Sequence, residues 1–240
     1  MRIAVISDIH ANATAFEAVI KDIRQTSVDQ IICLGDITTL GPQPRTCLQM
    51  VQDLGCKCIM GNHDAFMVDP QLIHTYTDVP KILDLVAWAR NELSPEDLDF
   101  INGFNTSLNI RPDESCDWLF CHGTPTSHMA DLLSFTPPKD MDTILQGHGV
   151  ELMACGHTHI QMMRQHKGVM IVNPGSIGLP FKEYVAGCRP EIMLHAEYAV
   201  IEKKNNQIDL SLKRIPYDQK TFQNTIDNCG GLIQKFCAQF

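Results

Sequence analysis

Short apolar runs punctuate the chain, and five of them end on residues of one chemical kind. Ile3-Ala4-Val5-Ile6 leads into Ser7-Asp8-Ile9-His10, Ile31-Ile32-Cys33-Leu34 into Gly35-Asp36, and Cys58-Ile59-Met60 into Gly61-Asn62-His63-Asp64. Trp118-Leu119-Phe120-Cys121 is followed by His122-Gly123, and Leu152-Met153-Ala154-Cys155 by Gly156-His157-Thr158-His159. A run of this length bounded by turn-type residues fits a buried strand. Carboxylate, amide and imidazole groups placed just past such strands lie at a sheet's edge, where open α/β sheets keep their chemistry.

Between the runs the spacing turns helical. Thr14 and Glu17 have the spacing of a capping box, and Phe16, Val19, Ile20 and Ile23 then fall at i, i+3, i+4 and i+7 on one helix face. Asp36 stands 28 positions after Asp8 and Asn62 a further 26 beyond it, close to the roughly 30 residues of one βαβ unit. Pro42 and Pro44 open the second helix, with Cys47, Met50, Val51 and Leu54 on its buried stripe. Two crossovers of matching length predict a parallel sheet. The 60 positions from Asn62 to His122 are twice a normal unit and predict a helical insertion over about 65–112, with helices from Pro80 and from the Ser94-Pro95 cap. Beyond His159, alternation at 168–172, 196–202 and 207–212, with a turn at Asn205-Asn206, predicts a hairpin and a second, antiparallel sheet. Phe222, Ile226, Cys229, Ile233 and Phe236 predict an amphipathic C-terminal helix interrupted at Gly230-Gly231. No repeat, linker or low-complexity tract interrupts the 240 residues, so 1–240 reads as a single domain.

Charge narrows the partners. Lys plus Arg number 19 against 28 Asp plus Glu, a net charge of −9, which argues against general affinity for nucleic acid or anionic membranes. A bound phosphate would need a local source of positive charge. The ten cysteines are scattered, and Cys33, Cys58, Cys121 and Cys155 sit inside apolar runs as reduced thiols. The Cys56-Lys57-Cys58 pair lacks zinc-site spacing. No apolar run approaches the about 18 residues of a membrane span, and no leader precedes the first strand, so a soluble cytoplasmic protein is expected.

The polar run-ends form one constellation: Asp8, His10, Asp36, Asn62, His122, His157 and His159, all following strands expected in one layer. Seven N and O donors exceed the set one tetrahedral zinc takes, and carboxylate, amide and imidazole without a positioned thiolate suit two divalent ions. If Asp36 is shared, each ion has four protein ligands. Two such ions would lie about 3.5–4 Å apart and hold a bridging hydroxide. His74, His128, His148, His166 and His195 read as loop or surface residues.

In its motifs the chain resembles the calcineurin-like metallophosphoesterases, whose pattern is D-x-H, G-D, G-N-H-D/E, a lone H, then G-H-x-H. Asp8-Ile9-His10, Gly35-Asp36, Gly61-Asn62-His63-Asp64, His122 and Gly156-His157-Thr158-His159 supply every block, from residue 1 to about 179. The short chain and Asn173-Pro174-Gly175-Ser176 are similar to the compact prokaryotic phosphodiesterase branch, from which the long 181–194 segment departs. The resemblance implies an α/β fold (α+β by some schemes), an αββα sandwich of two mixed sheets flanked by helices. It implies one ion on Asp8, His10, Asp36 and His159 and a second on Asp36, Asn62, His122 and His157, with manganese, iron, zinc, nickel and magnesium as candidates. It gives His63, paired with Asp64, the role of contacting the phosphoryl group and protonating the leaving oxygen. Asn12 is a candidate for touching the phosphate, with helix capping as its alternative.

The expected activity is therefore hydrolysis of a phosphate ester on a small phosphorylated molecule, nucleotide-like ones included, by attack of the metal-bridging hydroxide. A diester is favoured because the ligand segments hold no Arg or Lys, and a monoester dianion is usually met by a bidentate guanidinium. The 65–112 insertion and the 181–194 segment are expected to wall in the ester's second substituent, with Phe181, Tyr184 and Trp88 as stacking surfaces. Alternatives are a phosphomonoesterase, a dinucleoside polyphosphate hydrolase, and a non-catalytic scaffold of the same fold such as the retromer subunit.

Overall fold

The computed structural model describes residues 1–114, 116–185, 189–205, 207–229 and 231–237. In chain order the elements begin with β1 (Arg2–Ile6), α1 (Ala13–Gln25), β2 (Gln30–Cys33), α2 (Pro44–Leu54), β3 (Lys57–Cys58) and α3 (Asn62–Val68). A 3₁₀ turn at Pro70–Thr75 precedes α4 (Pro80–Asn91), α5 (Pro95–Asn102), β4 (Ser107–Asp113), β5 (Cys116–Cys121), α6 (Pro138–Leu145) and β6 (Leu152–Ala154). The last part is β7 (Met162–His166), β8 (Val169–Asn173), β9 (Ala196–Lys204), β10 (Gln207–Ile215), α7 (Gln219–Cys229) and α8 (Gly231–Cys237).

Two mixed five-stranded sheets, ordered β10-β9-β1-β2-β3 and β4-β5-β6-β8-β7, pack face to face with helices outside. Strand alternation produces the layers. Ile3 and Val5 of β1 join Ile32, Trp118, Phe120 and Leu152 between the sheets, whereas Ala4 and Ile6 turn to Phe16, Val19 and Val51 of α1 and α2. On the far side Leu119, Cys121 and Met153 pack against Met141 of α6. In α2 the buried stripe is Cys47, Leu48 and Val51, with Met50 and Leu54 only partly covered.

The sheets differ from expectation in two respects. The ligand-bearing strands are not one layer: β1, β2 and β3 are parallel neighbours in the first sheet, while β5 and β6 are parallel neighbours in the second. The strands after His159 do not make a separate antiparallel sheet either. β8 adds parallel to β6, β7 closes that edge antiparallel, and the β9–β10 hairpin pairs antiparallel with β1. Residues 196–201 of β9 are all buried, the mark of a central strand, while β10 outside it alternates toward solvent. The 65–112 stretch is helical only in its first part, since it ends in β4, the edge strand beside β5. The turn at Asn205-Asn206 and the break at Gly230-Gly231 each lie partly outside the described residues.

Helix α1 is capped by Asn12, whose Oδ1 accepts from Ala15 N at 3.0 Å, and not by Thr14 with Glu17. His10 and Ala11 adopt left-handed backbone conformations, and the helix begins directly after them. None of the nine described cysteines is in a disulfide, and Cys56 Sγ lies 3.9 Å from Cys58 Sγ. No helix among the described residues is long and apolar enough to cross a membrane.

Phe16 is fully buried between α1 and the first sheet. Phe16→Ala is expected to cost about 3–5 kcal/mol of stability, read as a lower urea midpoint; a change within about 0.5 kcal/mol, as at a surface site, would remove Phe16 from that layer's support.

Candidate metal centre

The ligand-type residues converge where the C-terminal ends of β1, β2, β3, β5 and β6 meet across the sandwich. Loops after β1 and β2 run side by side: Asp8 N donates to Gly35 O at 3.0 Å, His10 N to Asp36 O at 3.0 Å and Ala11 N to Ile37 O at 2.8 Å. Gly61 touches this pair so closely that a Cβ there would overlap the Asp36 carboxylate, and a Cβ on Gly156 would overlap Ser7 Oγ. A side chain at either position would push the loops apart.

Five of the seven donors have positive φ: Asp8 at 54°, His10 at 46°, Asp36 at 58°, His157 at 66° and His159 at 57°. Non-glycine residues rarely hold this conformation, and it costs roughly 1–2 kcal/mol each. Strain of this kind persists where surrounding structure over-determines it, typically at functional sites. Here the clamp is a segment past β8. Ser176 Oγ donates to Asp8 O at 2.7 Å, Gly178 N donates to the same oxygen at 3.0 Å, and Asn173 Nδ2 donates to Gly156 O at 2.8 Å. Asn173 and Ser176 thus tie the Asp8 loop to the His157–His159 loop.

Two clusters result, Asp8 with His10 and His159, and Asp36 with His122 and His157, their ligand atoms all within 4.8 Å of one another in each. Asp36 joins them, with Oδ2 lying 3.8 Å from His10 Nε2 and 3.4 Å from His122 Nε2. Asn62 Oδ1 lies 3.1 Å from His122 Nε2.

The tautomers decide what this space can hold. His122 Nδ1 faces Leu34 O at 2.7 Å and His159 Nδ1 faces Leu179 O at 2.8 Å. Carbonyls only accept, so each Nδ1 carries a proton, and whenever such a ring is neutral its Nε2 lone pair faces inward. His159 Nε2 then meets Asp8 Oδ1 at 3.2 Å and His10 Nε2 at 3.1 Å. Asp8 Oδ1 is buried without a hydrogen bond. Asp8 Oδ1 facing the Nε2 lone pair of a neutral His159 is acceptor against acceptor, which repels unless a proton or cation lies between them, and this donor set of carboxylate, imidazole and amide fits divalent ions. Burial and the neighbouring His159 press His10 down to about 3, and burial with His122 presses His157 down to about 4. Both rings are therefore neutral, the form that binds metal. Against burial, His159 and His122 hold Asp8 at about 2, and His122 and His63 keep Asp36 well below the carboxylate range. Burial disfavours charge on His122, yet Asp36 and Asp8 outweigh it and raise that ring to about 10, so its Nε2 holds a proton toward Asp36 that an ion would displace.

His63 stands beside the clusters, its ring centroid 5.2 Å from that of His10, with Nδ1 buried and unpartnered. It is not paired with Asp64. The Asp64 carboxylate accepts from Asp36 N at 2.6 Å, Ile37 N at 3.0 Å and Gly61 N at 3.0 Å. Both residues lie in the first turn of α3, where adjacent side chains diverge. Burial and Asp36 raise the Asp64 carboxyl to about 7, against the pull of those three donors. Asp64 is thus the brace of the Asp36 loop.

Asn12 is 1% exposed and committed to capping through Oδ1, while its Nδ2 lies 3.4 Å from both Gly178 O and Tyr217 Oη. Among the aromatics, Phe181 packs on the His159 ring at 4.3 Å, Tyr184 is half-buried, and Trp88 packs on α4 among core residues. Tyr76, not singled out in the sequence, is 47% exposed with its ring 6.1 Å from His63 and 6.3 Å from His157. Of the other histidines, His166 is buried in β7 against Asp142 at 2.7 Å rather than on the surface.

Two sheets whose joined edges carry paired carboxylate–imidazole clusters define an α/β protein with a candidate dinuclear metal centre. The family model of the calcineurin-like phosphoesterase superfamily domain matches residues 1–188, and the chain belongs to that superfamily. A crystal structure of a metallophosphoesterase from Sphaerobacter thermophilus is 25% identical, with 100% of each chain covered and a TM-score of 0.76. A crystal structure of a hypothetical protein from Pyrococcus horikoshii is 18% identical, covers 98% of this chain and 96% of its own, and has a TM-score of 0.79. An uncharacterized protein of Methanocaldococcus jannaschii is 27% identical over 235 residues, 94% of this chain and 92% of that relative.

Asp64→Ala leaves three buried N–H donors without an acceptor, each worth about 1–3 kcal/mol. It should lower the unfolding midpoint far more than His63→Ala does. Equal, small losses from both would restore the pairing of His63 with Asp64.

Proposed function

We propose that the chain is a dinuclear metal-dependent phosphoesterase acting on phosphodiesters of small molecules. The observation that carries this reading is the convergence of imidazole nitrogens and carboxylate oxygens in two clusters joined by Asp36. Asp8, His10, Asp36 and His159 would hold one divalent ion, and Asp36, Asn62, His122 and His157 the other. Such ions supply positive charge for the phosphoryl oxygens and activation of the attacking water. That answers the shortage of local cations, since every ion pair of Asp8 and Asp36 among the described residues is with histidine.

His63 has no protein partner at Nδ1 and sits beside His10. Its role is to hold a proton on the ring and deliver it to the leaving oxygen. His63→Ala is expected to lower kcat by roughly 10²- to 10⁴-fold, the usual contribution of a positioned acid. The loss should be largest for esters with poor leaving groups; an equal loss across leaving groups would reassign His63 to phosphate positioning.

A diester needs room for a second substituent. A cavity of about 430 Å³ opens beside His10, lined by Leu179, Ile192, Leu194, Tyr217 and Phe222, with Lys220 at its wall. Its size falls within the roughly 300–1,000 Å³ of small-molecule sites. Its walls come mainly from 178–194, Tyr217 and α7, while the 65–112 stretch brings Tyr76 beside His63 and His157. The test is a metal-resolved assay on a small aryl phosphodiester and its matching monoester. Activity should vanish on chelation, return at two ions per chain, and show the larger kcat/KM for the diester. Monoester preference overturns the diester assignment; turnover without metal overturns the dinuclear one; no turnover of any ester in the two-ion form points to the scaffold.

A further inference from the structure

Each imidazole of the two clusters has one ring nitrogen turned away from the shared space. For His122 and His159 it is Nδ1, facing the carbonyls of Leu34 and Leu179, and for His10 it is Nδ1, 3.4 Å from Thr39 Oγ1. His157 departs from this pattern. Its Nε2 has the outside neighbour, Asp131 Oδ1 at 3.5 Å, and that neighbour is a carboxylate where the other three are neutral. A metal-bound histidine commonly gives its second N–H to a carboxylate, which fixes the ring's tautomer and orientation and raises its basicity.

Asp131 is partly exposed, with 43% of its side chain accessible, yet its position is fixed from both sides. On the near side, a Cβ on Gly123 would overlap Ala130 O and Ser127 O, so the missing side chain lets the loop after His122 fold back on itself. On the far side Leu132 is 1% exposed and packs against the second sheet with Leu119, Met141 and Met153. The loop continues under Arg164, whose Nη1 donates to Leu133 O at 3.3 Å and Thr136 O at 2.6 Å. The carboxylate is held as well: Tyr184 Oη donates to Asp131 Oδ2 at 2.8 Å. Tyr184 belongs to the long 181–194 segment, so that segment reaches the metal centre through Asp131.

We propose that Asp131 is a positioning residue that orients His157 through Nε2, leaves Nδ1 of that ring as the donor to the second ion, and is itself held by Tyr184. This rests on the two-ion reading. Asp131 lies in none of the ligand motifs and acts on one of the two ions only, because its partner His157 belongs to the cluster with Asp36 and His122.

Cobalt(II) titrated into the metal-free full chain, followed by calorimetry, tests the inference without recourse to turnover. The wild type should show two binding events. Asp131→Ala should weaken one of them by roughly 10- to 100-fold, the usual cost of losing an outer partner of a metal ligand, and leave the other unchanged. Asp131→Glu should recover part of the loss, and Tyr184→Phe should weaken the same event by less. The thermal midpoint of the metal-free Asp131→Ala chain should match the wild type, which separates positioning from folding. Two unaltered events in Asp131→Ala overturn the inference and leave the dinuclear reading standing, and so does equal weakening of both. A wild type that binds fewer than two ions overturns the dinuclear reading and this inference together.

Discussion

Lone pairs pointed at one another are the constraint on which this structure turns. Nε2 of His159 lies 3.2 Å from the orphaned Oδ1 of Asp8, both of them acceptors when that ring is neutral, in a buried space. In a low-dielectric interior such an arrangement repels strongly. It is held because the backbone carbonyl of Leu179 accepts from His159 Nδ1 and leaves that ring no other proton arrangement when neutral, as the carbonyl of Leu34 does for His122. A cation turns the same geometry from repulsive to attractive. Metal binding and stability are therefore linked, since an ion that binds the folded chain alone stabilises it by mass action.

A second cost falls in the same place. Five ligand residues with left-handed backbone add several kcal/mol of strain at roughly 1–2 kcal/mol each, against a net stability that is usually about 5–15 kcal/mol. The sandwich offsets it. Ile3, Val5, Trp118 and Phe120 between the sheets and Phe16, Val19 and Val51 under the helices fix the strand ends. The Asp64 carboxylate and the Asn173–Ser176 segment then hold the loops where the strands leave them. Removing such a brace would release strain and open the site in one step, as the three backbone donors on the Asp64 carboxylate imply.

The seven metal-type donors were legible because each follows an apolar run, and that rule is local. The helix faces were legible for the same reason. Sheet membership was not: whether β5 pairs beside β3 or in a second layer depends on contacts between residues far apart in the chain, and apolar runs look alike in either sheet. The alternation at 196–202 marks β9 as a strand but does not reveal its central place, where both its faces are buried. The Asn12 cap was outcompeted on paper by the Thr14–Glu17 spacing, since only the left-handed turn at His10-Ala11 shows where the helix starts. The supposed His63–Asp64 pair failed on helix geometry, as neighbours in a helix turn point apart. Asp131 and Tyr184 carry no motif at all; only the fold of the loop on Gly123 and the burial of Leu132 bring the carboxylate to His157.

On the proposed reading, ion binding and substrate choice would be built by different parts of the chain. The donors come from loops after β1, β2, β3, β5 and β6, all within the 1–188 family match. The cavity beside His10 takes much of its wall from residues beyond it, including Ile192, Leu194, Tyr217 and Phe222. A site whose chemistry is fixed by strand ends and whose walls are separate loops and a helix can change substrate without disturbing its ions. Tyr184 is the exception, because it lies in the 181–194 segment and also grips Asp131. If the proposed reading holds, a change of that segment for a new substrate would reach His157 through Tyr184 and Asp131, and substrate choice would be coupled to affinity for one ion at that point.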